Sequence, residues 1–314
     1  MRVLFWGTPD FAAPALRALI GEGFDVVGVV TQPDRPVGRS RSTVDAPPVK
    51  RIAERENIPV LQPERPRGDA FRSQIAALAP DVSVVVAYGH ILPPEVIDLP
   101  PRGTLNIHGS LLPALRGAAP IQTAIRNGLT ETGVSIMRMV PALDAGPVIL
   151  RATTPIYDDE TAGELALRLS EMGAAALIEA LALLELGAAR EAPQDEARAT
   201  YAPKIVREMT RVDWRAPAAA VARVIRAYDP RPGAFTMRDG AEVKLFGARP
   251  VAGVRGDAGQ VLAVDDDGML VACGDGGARI GMVQPSGKRR MAPAEWARGR
   301  GIAVGHRFGP APAE

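Results

Sequence analysis

The sequence is poor in cysteine and histidine, and these shortages exclude several classes of protein. Its single cysteine, Cys273, rules out a disulfide within the chain. One cysteine and three histidines are also too few for a structural zinc site, which takes about four thiolate or imidazole ligands. This composition is typical of a reducing compartment, so we expect a cytoplasmic protein without a metal site.

Long apolar runs are missing as well. No stretch approaches the roughly 18 apolar residues of a membrane helix. The first residues, MRVLFWGTPDF, hold one basic residue and a short apolar run that ends in a turn, which predicts a first strand and not a signal peptide. The hydrophobic fraction of 46% is enough for real cores, and a chain of 314 residues predicts two domains.

Apolar strands alternate with amphipathic helices over residues 1–189. Two of the apolar segments are RVLFWG (2–7) and DVSVVVAYG (81–89). Short apolar runs of this kind are typical of strands that are buried on both faces of a sheet. Helical spacing of apolar residues occurs between such strands, for example over residues 10–23 and 161–187. This order predicts an α/β domain built around a mostly parallel sheet.

The pattern changes after residue 189. Residues 190–207 are polar and contain prolines, which predicts a linker. Residues 208–314 read as short strands with Asp-Gly turns at Asp239 and Asp267, which predicts a small antiparallel barrel. This second domain is basic, with 16 Lys and Arg against 12 Asp and Glu. It therefore permits a polyanionic partner without requiring one.

A dinucleotide fingerprint is absent from the first strand–helix turn. That turn reads GTPDF and lacks the glycine spacing that brings backbone onto a pyrophosphate, so a nucleotide-dependent oxidoreductase is disfavoured. In open parallel sheets, ligands nevertheless bind beyond the carboxyl ends of the strands. Three polar segments follow predicted strands: residues 88–90, residues 106–110, and the loop that contains Asp144.

The segment TLNIHGSLLP (104–113) begins as a buried strand and carries polar groups. Successive side chains of a strand point to opposite faces, so Asn106, His108 and Ser110 share one face. Plain structural interpretations compete with a functional one. Asn106 and His108 can form a hydrogen-bonded polar pair at a sheet end, and Asp144 can be an ordinary turn residue. Together, an amide, an imidazole and a carboxylate suit acyl transfer through an oxyanion. No serine or cysteine nucleophile is implied, so we expect direct transfer.

Several motifs, taken in order, resemble the folate-dependent formyltransferases over nearly the whole chain. They are GTPDFA, VVTQPDRPVGR, VVVAYGHILP, IHGSLLPALRGAAPIQ, ETGVSIMRM, LDAGP and YAPKI. The resemblance implies a Rossmann-like formyltransferase domain, a C-terminal OB-like β-barrel, and transfer of the formyl group of 10-formyltetrahydrofolate to the α-amino group of methionyl initiator tRNA. It also implies that Asn106, His108 and Asp144 are catalytic. The residues implied to bind the folate are Tyr88, Gly89, Ile91, Leu92, Ser110, Leu111, Leu112 and Pro113.

Two basic segments are candidates for contact with the tRNA. The insertion over residues 31–50 is long for a loop between a strand and a helix, and is either a solvated loop or, as the resemblance implies, a contact to the acceptor stem. Within it, SRSTVDAPPVK departs from the family pattern. The segment SGKRRM (286–291) is either a solvated turn or a track for tRNA phosphates. The candidate residues are Arg35, Arg39, Arg41, Lys288, Arg289 and Arg290.

Formyl transfer to methionyl initiator tRNA is the leading interpretation, and two alternatives stay open. A formyltransferase for a small amine, such as a nucleotide or an amino sugar, would need neither the basic insertion nor the second domain. A non-catalytic RNA-binding relative would not need the set of Asn106, His108 and Asp144. We expect a monomer, because the sequence shows no long apolar heptad and no pattern of an exposed sheet edge.

Overall fold

The apolar strands of the first half of the chain form one seven-stranded sheet in the computed structural model, which describes residues 1–37 and 43–309. In sheet order the strands are β5 (Val60–Leu61), β2 (Asp25–Val30), β1 (Arg2–Gly7), β6 (Val82–Val86), β7 (Thr104–His108), β8 (Glu131–Arg138) and β9 (Val148–Pro155). The pairs from β5 to β7 are all parallel, whereas β7 and β8 are antiparallel. The predicted mostly parallel sheet is therefore confirmed.

Helices occupy the connections between these strands, and one more helix follows β9. They are α1 (Ala13–Gly21), α2 (Pro48–Arg55), α3 (Asp69–Ala77), α4 (Pro94–Ile97), α5 (Pro120–Arg126) and α6 (Ala162–Glu185). Four of them, α1, α2, α4 and α5, have proline in the first turn, where a missing N–H costs no helical hydrogen bond. The single-turn helix α4 was not predicted, because four residues are too few to show a helical period.

Helix α6 approaches β7 closely at a glycine. A Cβ atom on Gly173 would lie 2.9 Å from Ile107 Cγ2, so only a residue without a side chain fits there unless its neighbour moves. Ile107 is 5% exposed and Leu105 is fully buried. Because a slip of one residue would exchange the two faces of the strand, this packing sets the direction of Asn106 and His108.

Five antiparallel strands form the sheet of the second half of the chain. In sheet order they are β10 (Ala234–Arg238), β11 (Ala241–Val251), β14 (Gly277–Pro285), β13 (Gly268–Ala272) and β12 (Val261–Asp265). Asp239 and Gly240 join β10 to β11 with φ of 47° and 74°, the left-handed geometry of a tight hairpin. The predicted antiparallel second domain is confirmed, and the helices α7 (Ala218–Ala227) and α8 (Pro293–Arg298) accompany it.

The insertion over residues 31–50 contains a short hairpin. Its strands are β3 (Arg35–Val37) and β4 (Thr43–Asp45), which pair antiparallel with Arg35 opposite Asp45. The sequence predicts only a loop here, because three-residue strands are too short to show alternation.

Contacts within the chain define two compact units that interleave in sequence. Arg226 donates from Nη1 to Glu160 O at 2.9 Å, and Gly163 N donates to Asp229 O at 3.0 Å, so a segment before residue 165 joins α7. The sequence pattern predicts a continuous first domain instead, because such contacts leave no local pattern. The first unit comprises Met1–Gly117, Thr132–Thr154 and Ala166–Tyr201, and the second comprises Ala118–Glu131, Pro155–Leu165 and the chain from Ala202 onward.

None of the helices in the described part of the chain is long and apolar enough to cross a membrane.

Candidate active site

Asn106 and His108 lie at the carboxyl end of β7, on the side of the sheet where the parallel strands end. Asn106 lies opposite Val85 of the parallel strand β6, and His108 lies opposite Ser135 of the antiparallel strand β8. The carboxyl ends of parallel strands are where open α/β sheets bind ligands. The predicted polar face of β7 is therefore located where a ligand would be expected.

His108 is buried, and both nitrogens of its ring face an oxygen atom. The side chain is 6% exposed; Nε2 lies 2.9 Å from Leu115 O, and Nδ1 lies 3.6 Å from Asp144 Oδ2. The second distance exceeds a hydrogen bond but is within the range of an ion pair. A neutral imidazole has one N–H group, so only the imidazolium form can donate toward both oxygens.

Asp144 is held by the loop geometry around it and not by a regular element. Its φ is 48°, a left-handed conformation that aspartate tolerates better than most residues. Its side chain is 15% exposed, and Oδ2 accepts a hydrogen bond from Gly117 N at 2.8 Å. Gly117 has a φ of 117°, which glycine adopts without strain. Two loops thus meet at the carboxylate that faces His108.

The amide of Asn106 is the uncommitted member of the three. Its side chain is half-buried, and it makes no hydrogen bond to the part of the chain that the structure describes. A side-chain amide carries two donor hydrogens. Asn106 therefore presents donors at the sheet edge that a ligand oxygen can use. The structure brings all three predicted catalytic residues to one place.

Ser110 is committed to the loop that follows β7. It is 1% exposed, and its Oγ donates to Ala114 O at 2.5 Å. Ser135 Oγ donates to Ser110 O at 2.7 Å and accepts from Leu112 N at 3.0 Å. A hydroxyl held in this way is not a free nucleophile. The side chain of Ser110 therefore shapes this loop from inside.

The three residues after Ser110 differ in exposure. Leu112 is 2% exposed and packs with Met137 and Val148. Leu111 and Pro113 are half-buried. Of this predicted folate-binding segment, Leu111 and Pro113 are the residues whose side chains keep surface for a ligand.

The loop after β6 shows a similar division. Tyr88 is 1% exposed and packs edge-on against Trp6, with ring centroids 5.3 Å apart. Its hydroxyl has no partner among the described residues, and burial raises the pKa of Tyr88 to about 12. Leu92 is also buried, whereas Gly89 is exposed and Ile91 is 87% exposed. The side chain of Tyr88 therefore belongs to the core, and Gly89 and Ile91 form the accessible part of the loop.

The insertion is tied to the sheet by a polar cluster at its base. Lys50 Nζ lies 2.6 Å from Asp34 Oδ2, and Gln62 Nε2 donates to Asp34 Oδ1 at 2.7 Å. These hydrogen bonds, that from Lys50 first, hold the pKa of Asp34 below its usual value. Arg35 is exposed at the start of β3. The predicted tRNA contacts Arg39 and Arg41 lie outside the described residues.

The three basic residues of the SGKRRM segment have different surroundings. Lys288, Arg289 and Arg290 are all exposed. Arg289 Nη2 lies 2.6 Å from Glu295 Oε1. Arg290 lies 3.9 Å over the ring of Phe246 and 3.3 Å from Asp229 Oδ1. Lys288 therefore extends most freely, and Arg290 is partly held in place.

Several residues that support the site are not predicted from the sequence. Arg116 is 2% exposed, and Gln194 and Thr200 contact the loops next to His108 and Asp144. The motif ALRG contains Arg116, but nothing local marks Gln194 or Thr200. Among the described residues, no group of three or more His, Cys, Asp or Glu side chains is placed to hold a metal ion.

Comparison with known families identifies the class of protein that has this fold and site. A model described as formyl transferase matches residues 1–181, and one described as the formyl transferase C-terminal domain matches residues 204–301. The chain belongs to the formyl transferase family, as its motifs predict.

Individual relatives are similar over almost their whole length. The chain is 47% identical to the methionyl-tRNA formyltransferase of Aromatoleum aromaticum, with 98% of this chain and 97% of that protein covered. It is 46% identical to the methionyl-tRNA formyltransferase of Magnetococcus marinus, with 98% of each covered.

The crystal structure of HypX from Aquifex aeolicus with tetrahydrofolic acid has the same fold, with a TM-score of 0.70 at 23% identity over 100% of this chain and 50% of that one.

Proposed function

We propose that the protein transfers the formyl group of 10-formyltetrahydrofolate to the α-amino group of methionyl initiator tRNA. The observation that carries the proposal is the juxtaposition of Asn106, His108 and Asp144 at the carboxyl edge of the sheet. It is supported by the 47% identity to a methionyl-tRNA formyltransferase. The protein would then act in translation initiation, and we expect it to be a cytoplasmic monomer.

The transfer needs no nucleophile from the protein. The amine nitrogen attacks the formyl carbon, a C–N bond forms, and the carbonyl oxygen becomes an oxyanion. The side-chain amide of Asn106, which has no hydrogen-bond partner among the described residues, donates to that oxygen. Collapse of the tetrahedral intermediate breaks the bond between the formyl carbon and N10 of the folate. The proton that the amine loses is returned to N10.

His108 and Asp144 contribute charge in this mechanism. His108, held between Leu115 O and Asp144, supplies positive charge next to the developing oxyanion when its ring is protonated. Asp144 balances that charge, and the hydrogen bond from Gly117 N orients its Oδ2. Such preorganised charge stabilises a transition state most where water is excluded, and His108 is 6% exposed.

We propose that the folate packs against the loops after β6 and β7. Apolar surface suits a flat pterin, and the exposure of Ile91, Leu111 and Pro113 supports contacts from those side chains. The exposed backbone of Gly89 can approach the ligand closely. The buried members of the predicted set would shape the pocket from behind; they are Tyr88, Leu92, Ser110 and Leu112.

The tRNA contacts and the domain roles are part of the same proposal. We assign residues 1–189 to catalysis and folate binding, 190–207 to the connection, and 208–314 to tRNA binding. Exposed arginine and lysine side chains neutralise backbone phosphates and release their counterions. This binding weakens as the salt concentration rises, because the release is then less favourable. The residues proposed for these contacts are Arg35, Arg39, Arg41, Lys288, Arg289 and Arg290.

A substrate panel tests the proposal. The protein is incubated with 10-formyltetrahydrofolate and with methionylated initiator tRNA, methionylated elongator tRNA, or small amines, and the formyl-amide product is measured. We expect formylation of the charged initiator tRNA. Formylation of a nucleotide or amino sugar but not of charged tRNA would overturn the proposal, and so would binding of tRNA with no formyl transfer.

A further inference from the structure

Part of the segment that the sequence predicts as a linker folds back onto the candidate active site. We name residues 192–201 the strap. Ala192 pairs with Val148 of β9 through two backbone hydrogen bonds of 2.8 and 2.9 Å. At the other end, Thr200 Oγ1 accepts from Leu115 N at 2.9 Å. The strap is therefore fixed to the sheet at one end and to the loop after β7 at the other.

Gln194 in the strap joins two loops of the site through its side-chain amide. Nε2 donates to Asp144 O at 2.8 Å and to Gly146 O at 2.7 Å. Oε1 accepts from Arg116 Nε at 3.1 Å and from Arg116 Nη2 at 2.9 Å. An amide side chain has two donor hydrogens and two acceptor lone pairs, so all four are used. One side chain thus connects the Asp144 loop to the loop of Arg116.

Arg116 is buried and depends on the strap for its partners. It is 2% exposed, and its guanidinium makes a bidentate pair with Glu196 at 2.6 and 2.8 Å. A buried guanidinium without such partners would be strongly destabilising. Gln194 and Glu196 together therefore determine where Arg116 can lie.

The backbone on each side of Arg116 contacts a catalytic side chain. Leu115, the residue before it, directs its carbonyl at His108 Nε2. Gly117, the residue after it, donates its N–H to Asp144 Oδ2. A shift of Arg116 would therefore move both contacts at once.

We propose that Gln194 is a positioning residue of the reaction. It holds the Asp144 loop and the Arg116 loop at the spacing that places a carboxylate and a carbonyl on opposite nitrogens of the His108 ring. The left-handed φ of Asp144 keeps that residue out of any regular ladder, so its main chain relies on Gln194. This inference rests on the proposed catalytic roles of His108 and Asp144.

Two variants of Gln194 and one control test the inference. Gln194→Ala removes all four hydrogen bonds. Gln194→Glu keeps the size and the acceptors toward Arg116 but turns a carboxylate oxygen toward the carbonyls of Asp144 and Gly146. The control, Glu191→Ala, removes a carboxylate that accepts from Arg138 at 2.8 Å just before the strap and contacts neither loop.

Both Gln194 variants should lower kcat by about 10- to 100-fold, the scale of a misplacement of about 1 Å. KM for 10-formyltetrahydrofolate and for methionyl initiator tRNA should stay within about threefold, because no substrate contact is removed. Glu191→Ala should keep kcat within about twofold. Circular dichroism and the unfolding midpoint show whether each variant is folded, and Gln194→Glu serves if Gln194→Ala is not.

A double-mutant cycle separates a positioning role from a merely structural one. In the Asp144→Asn background, Gln194→Ala should lower kcat several-fold less than it does alone, since much of its effect acts through Asp144. Additive losses, or a near-normal kcat for both Gln194 variants, would overturn the inference and leave the proposed function intact. A near-normal kcat for Asp144→Asn alone would instead overturn the catalytic assignment itself.

Discussion

Two polar sets of the molecule, one in each unit, differ in where their partners lie. In the second unit, Trp214 Nε1 donates to Thr236 Oγ1 at 2.9 Å, so two core groups satisfy each other. In the first unit, His108 on β7 relies on atoms of two loops, and Asn106 has no partner within the described residues. The Trp214–Thr236 pair is complete within the core, whereas the set at the carboxyl end of β7 includes Asn106, which has no hydrogen-bond partner among the described residues.

A hydrogen-bonded pair within a core and a polar set that depends on loops have different consequences, the first for stability and the second for function. A polar pair that is complete within the core stabilises one packing arrangement and offers nothing to a ligand. A polar set that depends on loops contributes less to stability but presents charge and hydrogen-bond donors to a substrate. Formyl transfer is therefore expected at the β7 edge, and substitutions at the two places should have effects of different kinds.

Removing the side-chain amide of Asn106 should have the largest effect on kcat. Asn106→Ala should lower kcat by about 10²–10³-fold, as loss of one oxyanion donor does. The free energy of unfolding should change little, because Asn106 has no hydrogen bond to the described residues that would be lost. Steady-state kinetics and chemical denaturation measure the two quantities. Asn127→Ala, at an exposed asparagine, is the matched control, and a near-normal kcat for Asn106→Ala would refute the donor role.

Breaking the hydrogen bond between Trp214 and Thr236 should lower stability and leave kcat unchanged. Thr236→Val keeps the shape of the side chain but leaves Trp214 Nε1 buried without an acceptor. The free energy of unfolding should fall by about 1–3 kcal/mol, the usual cost of an unsatisfied buried donor. The kcat measured well below the unfolding temperature should be unchanged. A large loss of kcat without a loss of stability would contradict this division of roles.

Tyr88→Phe should have the smallest effect and refines the comparison. The Tyr88 hydroxyl is buried without a partner among the described residues, and burial raises its pKa to about 12. Its removal should leave the free energy of unfolding unchanged or raise it by up to about 1 kcal/mol. KM for 10-formyltetrahydrofolate should stay within about twofold. A clear rise in that KM would mean that the hydroxyl contacts the folate.

Local patterns were sufficient to predict much of the fold and the polar face of β7. Alternation along the strand identifies Asn106 and His108 as neighbours on one face, because the burial of Leu105 and Ile107 sets the register. The hairpin at Asp239 is equally local, since the chemistry of two turn residues decides it. The place of Asp144 after a predicted strand makes it a candidate for the same set, and the family motifs then imply that it is catalytic.

Contacts between distant parts of the chain could not be predicted in the same way. Gln194 lies 50 residues from Asp144 and 78 from Arg116, in a polar stretch that has no period. The interleaving of the two units likewise depends on pairs such as Arg226 and Glu160, 66 residues apart. Nor does a motif reveal that the Tyr88 side chain turns inward, because that depends on packing against Trp6.

The insertion after β2 is anchored at its base, which is formed by Asp34, Lys50 and Gln62. The hydrogen bonds of Asp34 to Lys50 and Gln62 tie its two ends together, and β3 and β4 pair within it. An insertion that is anchored by side chains at its base can change in sequence beyond that base while the contacts of Asp34 with Lys50 and Gln62 stay the same.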